Sequence, residues 1–326
     1  MTAIAFFPYG IAVAVAAAAA LALAGATFRR GKLSGESLSW FAVLALPLGF
    51  LGARLGFCLA SLDWVSQEGF LFFFEFSRGG YMLYGALLGG LLAAALAARL
   101  SGERFARLVD ALATPALLLI ALGRIAEVLV GQGYGWSIED WFTEGNSMSL
   151  VVLEDPSFFY RLPFGIPDMY DNYNWAVCVF EGIVALVLVL VVSRARVRRA
   201  GGRAALGLLL YAATQELCES LRQDAVLRWG FVRINQILGA VVIVAVLVIS
   251  YLMARPRQPK KLALSIGGIV VGALLITAME FALEKKISAI EWVPMDVCYV
   301  ITTLGALLMI LSVLPLWRRA FGQHAD

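Results

Sequence analysis

Histidine is nearly absent from this chain of 326 residues, and charged residues are scarce. The one histidine is His324, third from the end, so none is available within an apolar segment as a base or a metal ligand. Only 15% of the residues are charged, whereas an ordinary soluble domain has about 25%. Because 61% are hydrophobic and the mean hydropathy is +0.83, a water-soluble fold could not bury the apolar surface. The solvent of this protein must be a bilayer.

Cysteine pairs of the kind that bind metals or form disulfides are also missing. The four cysteines each lie within an apolar stretch, and none belongs to a CxxC pair: Cys58, Cys178, Cys218 and Cys298. This pattern suggests neither a disulfide framework nor a zinc site, and we expect neither a metal nor another cofactor. A net charge of +3 does not by itself decide about nucleic acid, but no such partner is expected for a chain embedded in a bilayer.

No positive side chain precedes the first apolar stretch, as one would in a cleavable signal peptide. Arg29 and Arg30 follow that stretch instead. We therefore expect a retained first helix.

Long apolar runs are what the sequence has in abundance, and a membrane-spanning helix needs roughly 20 such residues. The pattern predicts an all-α polytopic membrane protein with about nine transmembrane helices, at approximately 5–27, 39–61, 80–99, 108–130, 175–193, 204–221, 232–254, 263–283 and 296–317. The sixth is the weakest, because Gln215, Glu216 and Glu219 interrupt it.

Basic residues follow every odd-numbered stretch, and Lys and Arg concentrate in cytoplasmic loops. The clusters fall at 29–32, 99–107, 194–203, 255–261 and 318–319. The connection 131–174 instead carries seven acidic residues and one base, Arg161. We therefore predict that the N terminus is outside and the C terminus cytoplasmic, in the inner or plasma membrane of a bacterium.

The basic run at 255–261 divides the chain in two. We expect residues 1–254 to form a seven-helix core with an outer loop at 131–174, and residues 255–326 to add a two-helix membrane extension. The loop is rich in aromatic residues that prefer the membrane interface: Trp136, Trp141, Phe142, Phe158, Phe159 and Tyr160. We expect these side chains to lay part of the loop on the membrane interface. An ordinary ectodomain hairpin is the alternative for this loop.

Polar side chains within the predicted spans lie almost all toward the outer ends. Such groups are costly in lipid, so they face protein or water and mark functional sites. Arg124 with Glu127, and Glu219 with Arg222, are spaced i, i+3 and are predicted to pair. The distribution predicts a polar cavity that opens to the outer face. Ion pairs that only clamp helices together are the alternative.

Two glycine-rich segments add to this picture. Gly85 and Gly89 in the third span are four residues apart, a spacing that permits close helix packing. The turn at 131–135, with the sequence GQGYG, follows the polar end of the fourth span and is a candidate anion cradle. Because the planar fork of arginine suits a phosphodiester, an arginine-rich site at this depth predicts a phospholipid substrate.

Several short motifs occur in a recognisable order. They are GARLG at 52–56, GGYMLYG at 79–85, GR at 123–124 followed by GQGYG at 131–135, FE at 180–181 and QIL at 236–238. With Tyr211, Glu219 and Arg222, these motifs resemble those of the bacterial prolipoprotein diacylglyceryl transferases, over roughly residues 5–254.

The resemblance implies transfer of a diacylglyceryl group from phosphatidylglycerol to the lipobox cysteine of a prolipoprotein, a step of lipoprotein maturation. The residues implied as catalytic are Arg124, Glu127, Tyr84 and Glu219. Those implied in substrate binding are Arg54, Arg222, Glu181, Tyr211, Gln215, Gln132, Gly80, Gly135 and Gln236. The reaction needs a base for the thiol and a cation for the phosphate leaving group.

The chain departs from the family pattern at several of these positions. The family's histidine is Tyr84, an essential arginine is Gln215, the first signature asparagine is Glu127, the second is Val130, and the signature glutamate is Gln132. A phenol with a pKa of about 10 is a poor base, whereas burial can make a carboxylate into one. We therefore expect Glu127 to act as the base in place of the family's histidine.

Two other functions stay open. Tyr84 and Gln215 favour an inactive relative that binds phospholipid or a lipoprotein precursor. A transporter is the other alternative, although the sequence shows no convincing internal repeat.

Overall fold

The computed structural model describes residues 7–138, 141, 164–167, 173–224, 227–229 and 232–322. Nine long helices make up most of this part: α1 (Phe7–Arg30), α2 (Gly35–Ala60), α4 (Leu83–Ser101), α5 (Phe105–Ala126), α6 (Val177–Arg194), α7 (Gly202–Leu221), α8 (Ile234–Met253), α9 (Pro259–Leu283) and α10 (Met295–Phe321). The shorter elements are α3 (Leu62–Glu68) and the 3₁₀ turns Phe70–Phe74, Phe76–Arg78 and Glu127–Val130. Two small antiparallel ribbons pair β1 (Gly165–Pro167) with β2 (Tyr173–Trp175), and β3 (Arg228–Trp229) with β4 (Val232–Arg233).

Each predicted apolar stretch falls on one of the long helices of the described residues. Eight of these helices are long and apolar enough to cross a membrane. The remaining one is α7, the predicted weakest stretch, whose polar residues lower its hydropathy and which packs among α5, α6, α8 and α10. The prediction of an all-α polytopic membrane protein is confirmed.

The outward faces of the helices are apolar, as a lipid environment requires. Leu46 in α2 is 78% exposed and Leu264 in α9 is 77% exposed. In water, such extended apolar surface would be an aggregation or binding surface. In a bilayer it contacts lipid tails.

The two ends of the helix bundle differ in charge. One end, which we call the basic end, holds the α1–α2, α4–α5, α6–α7 and α8–α9 connections and the end of α10. These connections contact one another: Nη2 of Arg107 donates to the carbonyl of Gly31 at 2.9 Å, and the N–H of Arg198 donates to the carbonyl of Phe321 at 2.7 Å. The opposite end, which we call the site end, carries the polar residues discussed below.

Helices α2 and α4 approach closely because glycines face each other. A Cβ on Gly85 would lie 2.3 Å from the carbonyl oxygen of Gly52, and one on Gly89 would lie 2.0 Å from that of Leu48. No side chain fits at either place, so the prediction of close packing through Gly85 and Gly89 is confirmed.

Helices α9 and α10 share the main apolar core with the preceding helices. Met309 and Leu316 of α10 belong to the same buried cluster as Leu209 of α7 and Ile243 of α8. Nε1 of Trp317 also donates to the carbonyl of Gly202 at 2.9 Å. The last two helices are therefore packed into the bundle.

Candidate active site

The carboxylate of Glu181, near the start of α6, is the centre of a buried polar cluster. Its Oε1 accepts hydrogen bonds from Nε of Arg124 at 2.8 Å, from Oη of Tyr211 at 2.8 Å and from Nε2 of Gln215 at 2.7 Å. Tyr211 and Gln215 are four residues apart on α7, so both face α6. Glu181 is only 1% exposed, and a carboxylate at that depth needs such donors.

A second carboxylate, Glu127, binds the same arginine. Nη1 of Arg124 donates to Oε1 of Glu127 at 2.7 Å, so the predicted i, i+3 pair is confirmed. Nη1 of Arg222 lies 3.9 Å from Oε2 of Glu127. Glu127 therefore stands between two guanidinium groups.

The predicted pair of Glu219 with Arg222 does not form, and that prediction is wrong. Helix α7 ends at Leu221, and Arg222 has extended backbone angles (φ −73°, ψ 136°), so its side chain leaves the helix face. Arg222 instead forms a bidentate pair with Asp224, with Nε to Oδ1 at 2.9 Å and Nη2 to Oδ2 at 2.6 Å. Burial raises the pKa of the Asp224 carboxyl, but the hydrogen bonds and charge of Arg222 outweigh it and hold this pKa below its ordinary value.

The glycine turn after α5 binds an anion of the chain itself. The N–H of Gly133 donates to Oδ2 of Asp224 at 2.9 Å, while the N–H groups of Gly131, Gln132 and Gly135 donate to backbone carbonyls. Gly133 has φ +72°, and a Cβ there would lie 2.7 Å from Oε2 of Glu127. The turn thus fixes Asp224 and Glu127, and the side chain of Gln132 is exposed beside it.

Gly135 is placed by the same kind of close approach. Its Cβ would lie 2.8 Å from the carbonyl oxygen of Leu221, the last residue of α7. The turn and the end of α7 can therefore meet only because this residue is glycine.

Arg54 lies apart from this cluster and is occupied by backbone. Its guanidinium donates to the carbonyls of five residues around the two 3₁₀ turns: Phe72, Phe73, Glu75, Gly79 and Gly80. The side chain is fully buried, and the ring of Phe72 lies 4.6 Å from its central carbon. All five N–H donors are used in shaping the segment that leads into α4.

Glu219 belongs to a neighbouring set of contacts, between α7, α8 and β4. Its Oε1 accepts from Nδ2 of Asn235 at 2.9 Å. Nη1 of Arg233 donates to the carbonyl oxygens of Glu219 and Arg222, and so caps the end of α7. The last turn of α7, which carries Glu219, is therefore held in place by the guanidinium of Arg233 from β4.

Helix α9 contributes a carboxylate to these contacts. Oε2 of Glu280 lies 3.5 Å from Nε of Arg233, and Oε1 accepts from Nε2 of Gln236 at 3.0 Å and from Oγ of Ser220. These partners are buried, and Gln236 also donates to the carbonyl of Glu216 at 3.2 Å.

Helix α10 reaches the same region through Tyr299. The indole N–H of Trp136 donates to its hydroxyl at 2.7 Å, the hydroxyl donates to the carbonyl of Ser220 at 3.3 Å, and the ring of Trp141 stacks on it at 5.7 Å. Both of the last two helices are therefore connected to the site.

Tyr84, in the first turn of α4, lies close to both α7 and α8. A Cβ on Gly239 of α8 would lie 2.7 Å from Oε1 of Glu216 and 3.2 Å from Oη of Tyr84, so these two groups flank the same glycine. Glu216 also lines a cavity of about 170 Å³ between α8 and α9.

Six buried side-chain oxygens around the site have no hydrogen-bond partner among the described residues: Oη of Tyr84, Oε2 of Glu127, Oε2 of Glu181, Oε1 of Glu216, Oε2 of Glu219 and Oδ1 of Asn235. Buried polar atoms normally have hydrogen-bond partners, and an exception calls for an explanation such as a catalytic role or a bound water or ion. The described residues contain no group of three or more His, Cys, Asp or Glu side chains that could hold a metal ion.

The structure thus brings together Arg124, Glu127, Glu181, Tyr211, Gln215 and Arg222, with Glu219, Tyr84 and Gln236 in the adjoining set. Arg54 and Gly80 lie in the segment before α4. Sequence reasoning missed Asp224, Glu280 and Tyr299. Only Asp224 carried a local signal, since it lies two residues beyond Arg222 at the end of a span.

Comparison with known proteins connects the motifs with this geometry. A sequence model of the prolipoprotein diacylglyceryl transferases matches residues 2–253. The chain is 29% identical over 261 residues to a phosphatidylglycerol–prolipoprotein diacylglyceryl transferase of Symbiobacterium thermophilum, covering 77% of this chain and 90% of the relative. It is 24% identical over 265 residues to the protein of the same name from Listeria monocytogenes, covering 80% and 91%.

The family match ends at the last residue of α8, so α9 and α10 lie outside it. Within the match lie Arg124, Glu181, Tyr211 and Arg222, which form the centre of the site. The chain belongs to the prolipoprotein diacylglyceryl transferase family.

Proposed function

We propose that this protein transfers a diacylglyceryl group from phosphatidylglycerol to the lipobox cysteine of a prolipoprotein. The observation that carries the proposal is the convergence of Arg124 and Arg222 on Glu127 at one end of a membrane bundle. Family membership and the names of the relatives support the same reaction.

The two arginines are suited to hold the phosphate of the lipid. Nη2 of Arg124 has no acceptor among the described residues, and Nη1 of Arg222 has only the distant Glu127 oxygen. Donors that the protein leaves free in a buried site can hydrogen-bond a phosphodiester and the leaving phosphate. Glu181 orients Arg124 by accepting a hydrogen bond from its Nε. Tyr211 and Gln215 donate to the same carboxylate oxygen and so hold Glu181 in place.

Glu127 is proposed as the base. Its Oε2 is buried and accepts no hydrogen bond from the described residues, while Oε1 accepts one from Arg124. The thiol proton passes to Oε2, and the sulfur forms a bond to the glyceryl carbon that carries the phosphate oxygen. The carbon–oxygen bond breaks, and its electron pair leaves with glycerol phosphate, whose charge the arginines stabilise.

Tyr84 and Glu219 are proposed to contact the substrate from the part of the site between α4, α7 and α8. Each has a buried oxygen without a partner among the described residues. Such oxygens can accept hydrogen bonds from the lipid glycerol or the peptide backbone of the substrate. Gln236 and Glu280 keep this side of the site in place.

We propose that the site end faces the outside of the cytoplasmic membrane of a bacterium, with nine spans, the N terminus outside and the C terminus inside. The basic residues at the other end support this orientation. Alkaline phosphatase fused after residue 224 should be active, whereas a fusion after residue 258 should be inactive. The reverse result would invert the topology.

We also propose that residues 1–254 are the transferase core and residues 255–326 an extension that serves it. The extension supplies Glu280 to Arg233 and Tyr299 to Trp136. An extension that only anchored the chain would not need polar contacts of this kind at the site end.

Complementation tests the proposed activity. Cells depleted of their own transferase should regain diacylglyceryl-modified lipoprotein when this chain is expressed, and Arg124→Ala should abolish the rescue. Unmodified precursor in the presence of normally inserted protein would show that the chain does not catalyse the transfer.

A phospholipid-binding relative without catalysis is the second candidate. It is favoured because Arg124 and Arg222 face three carboxylates, those of Glu127, Glu181 and Asp224. In that case phosphatidylglycerol would bind to the purified protein and Arg124→Ala would weaken binding, while no thioether product would form.

A further inference from the structure

Four arginines surround a cavity of about 210 Å³ at the basic end, the opposite end of the bundle from the site residues. Arg198 and Arg199 come from the α6–α7 connection, Arg255 follows α8, and Arg319 lies in the last turn of α10. Ala320 and Gly322 complete the lining. Three separate segments thus direct their basic side chains to one place.

Backbone contacts hold these segments together. The N–H of Arg198 donates to the carbonyl of Phe321 at 2.7 Å, and Val197 forms an antiparallel bridge with Gly322. Nη1 of Arg199 donates to the carbonyl of Met253 at 2.7 Å. The arrangement of these segments, and of the arginines that they carry, is therefore built into the fold.

No carboxylate neutralises the four charges within the described part of the chain. The ion pairs found there, all with nitrogen–oxygen distances of 4.0 Å or less, include none of the four arginines. Nε of Arg319 is buried and has no hydrogen-bond partner among the described residues. The nearby Asp110 uses its two oxygens to accept from the N–H groups of Gly201 and Ala204.

We propose that this cavity binds a phosphate-bearing anion, and that an anionic phospholipid headgroup of the adjacent leaflet supplies it. Guanidinium groups bind phosphate oxygens in a bidentate manner, and several around one cavity repel each other until an anion is present. A lipid fits the surroundings, because exposed apolar side chains such as Leu252 and Val191 precede the arginines on α8 and α6. Its acyl chains would lie against these faces.

Such an anion would join two parts of the molecule. Arg198 and Arg199 belong to the segment that the family model matches, whereas Arg255 and Arg319 lie beyond residue 253. One headgroup would therefore hold α10 against the α6–α7 connection. The proposal does not depend on the proposed transferase activity, because the transferase site is at the other end of the bundle.

Native mass spectrometry of the full chain in neutral detergent tests the proposal, with phosphatidic acid, phosphatidylcholine or inorganic phosphate as the added probe. The variant R198Q/R255Q removes two of the charges that line the cavity. The control R29Q/R30Q removes two exposed arginines at the same end of the bundle but outside the cavity. R319Q is a second test of the cavity if the double variant does not fold.

We expect the parent and R29Q/R30Q to retain one more phosphatidic acid than R198Q/R255Q, with about tenfold weaker binding in the cavity variant. Inorganic phosphate that stabilises the parent but not R198Q/R255Q, without any difference in retained lipid, would support an anion site for free phosphate. Equal retention and equal response to phosphate in parent, control and cavity variants would overturn the proposal.

Discussion

Replacing Glu127 by glutamine tests the proposed base with little change in shape. Glutamine keeps an oxygen that can accept from Nη1 of Arg124, which lies 2.7 Å from the present Oε1. It replaces the unpartnered Oε2 by an amide that cannot take a proton. The side chain therefore stays in place, while proton transfer from the thiol loses its acceptor.

The expected effect follows from two contributions. General base catalysis by a positioned side chain is worth about 10²–10⁴-fold, so kcat should fall by that factor. Removing a negative charge 3.9 Å from Nη1 of Arg222 is worth about 1 kcal/mol in a water-like dielectric and more when buried. We therefore expect phosphatidylglycerol to bind as tightly as before or about fivefold more tightly.

The assay uses purified protein in phosphatidylglycerol vesicles with a lipobox peptide, and it measures kcat, KM for the peptide and lipid affinity separately. Glu103→Gln is the matched control, because it also removes a carboxylate from an arginine, Arg107, but at the basic end. A Glu127→Gln protein with the kcat of the Glu103→Gln protein would refute the reasoning about the base.

Three further predictions concern the surroundings of the site. Gly133→Ala should lower the free energy of unfolding by roughly 1–2 kcal/mol and reduce turnover, because residue 133 has φ +72° and the new Cβ would lie 2.6 Å from the Cβ of Cys178. Gly90→Ala is the control, since the space around its new Cβ is open, and it should lower neither the thermal stability nor the turnover. Asp224→Asn should lower Tm by a constant amount between pH 7 and 5. The difference in Tm between parent and variant should close only as the pH falls below about 4, because the lowered pKa of Asp224 keeps the carboxylate ionised and paired with Arg222 until then. A Tm difference that closes at pH 6 would contradict this prediction. Glu280→Gln should leave the buried Arg233 without its ion pair and lower the free energy of unfolding by roughly 1–3 kcal/mol, with a lower Tm and a lower kcat. Glu291→Gln, in the exposed α9–α10 connection, should match the parent in both measurements.

The helices were predictable because each rests on a local property. An apolar run of sufficient length must be helical in lipid, since the bilayer offers no partner for free backbone groups. The Arg124–Glu127 pair was predictable for the same reason, because a spacing of three on a helix brings the side chains together.

The rest depends on where helices end and on distant contacts. Glu219 and Arg222 have the same spacing, yet α7 ends between them and Arg222 turns to Asp224. Arg54 is of the residue type that binds phosphate, but five backbone carbonyls of the segment 72–80 accept its N–H donors. Glu280 reaches Arg233 from 47 residues away, and no local pattern reports such a contact.

The most direct test of the account is the mass of a lipobox peptide after incubation with the purified protein and phosphatidylglycerol. We predict a peptide that carries one diacylglyceryl group on its cysteine sulfur, with glycerol phosphate released in equal amount, and no product from the Arg124→Ala protein. An unmodified peptide in the presence of folded parent protein that binds the lipid would contradict the central claim.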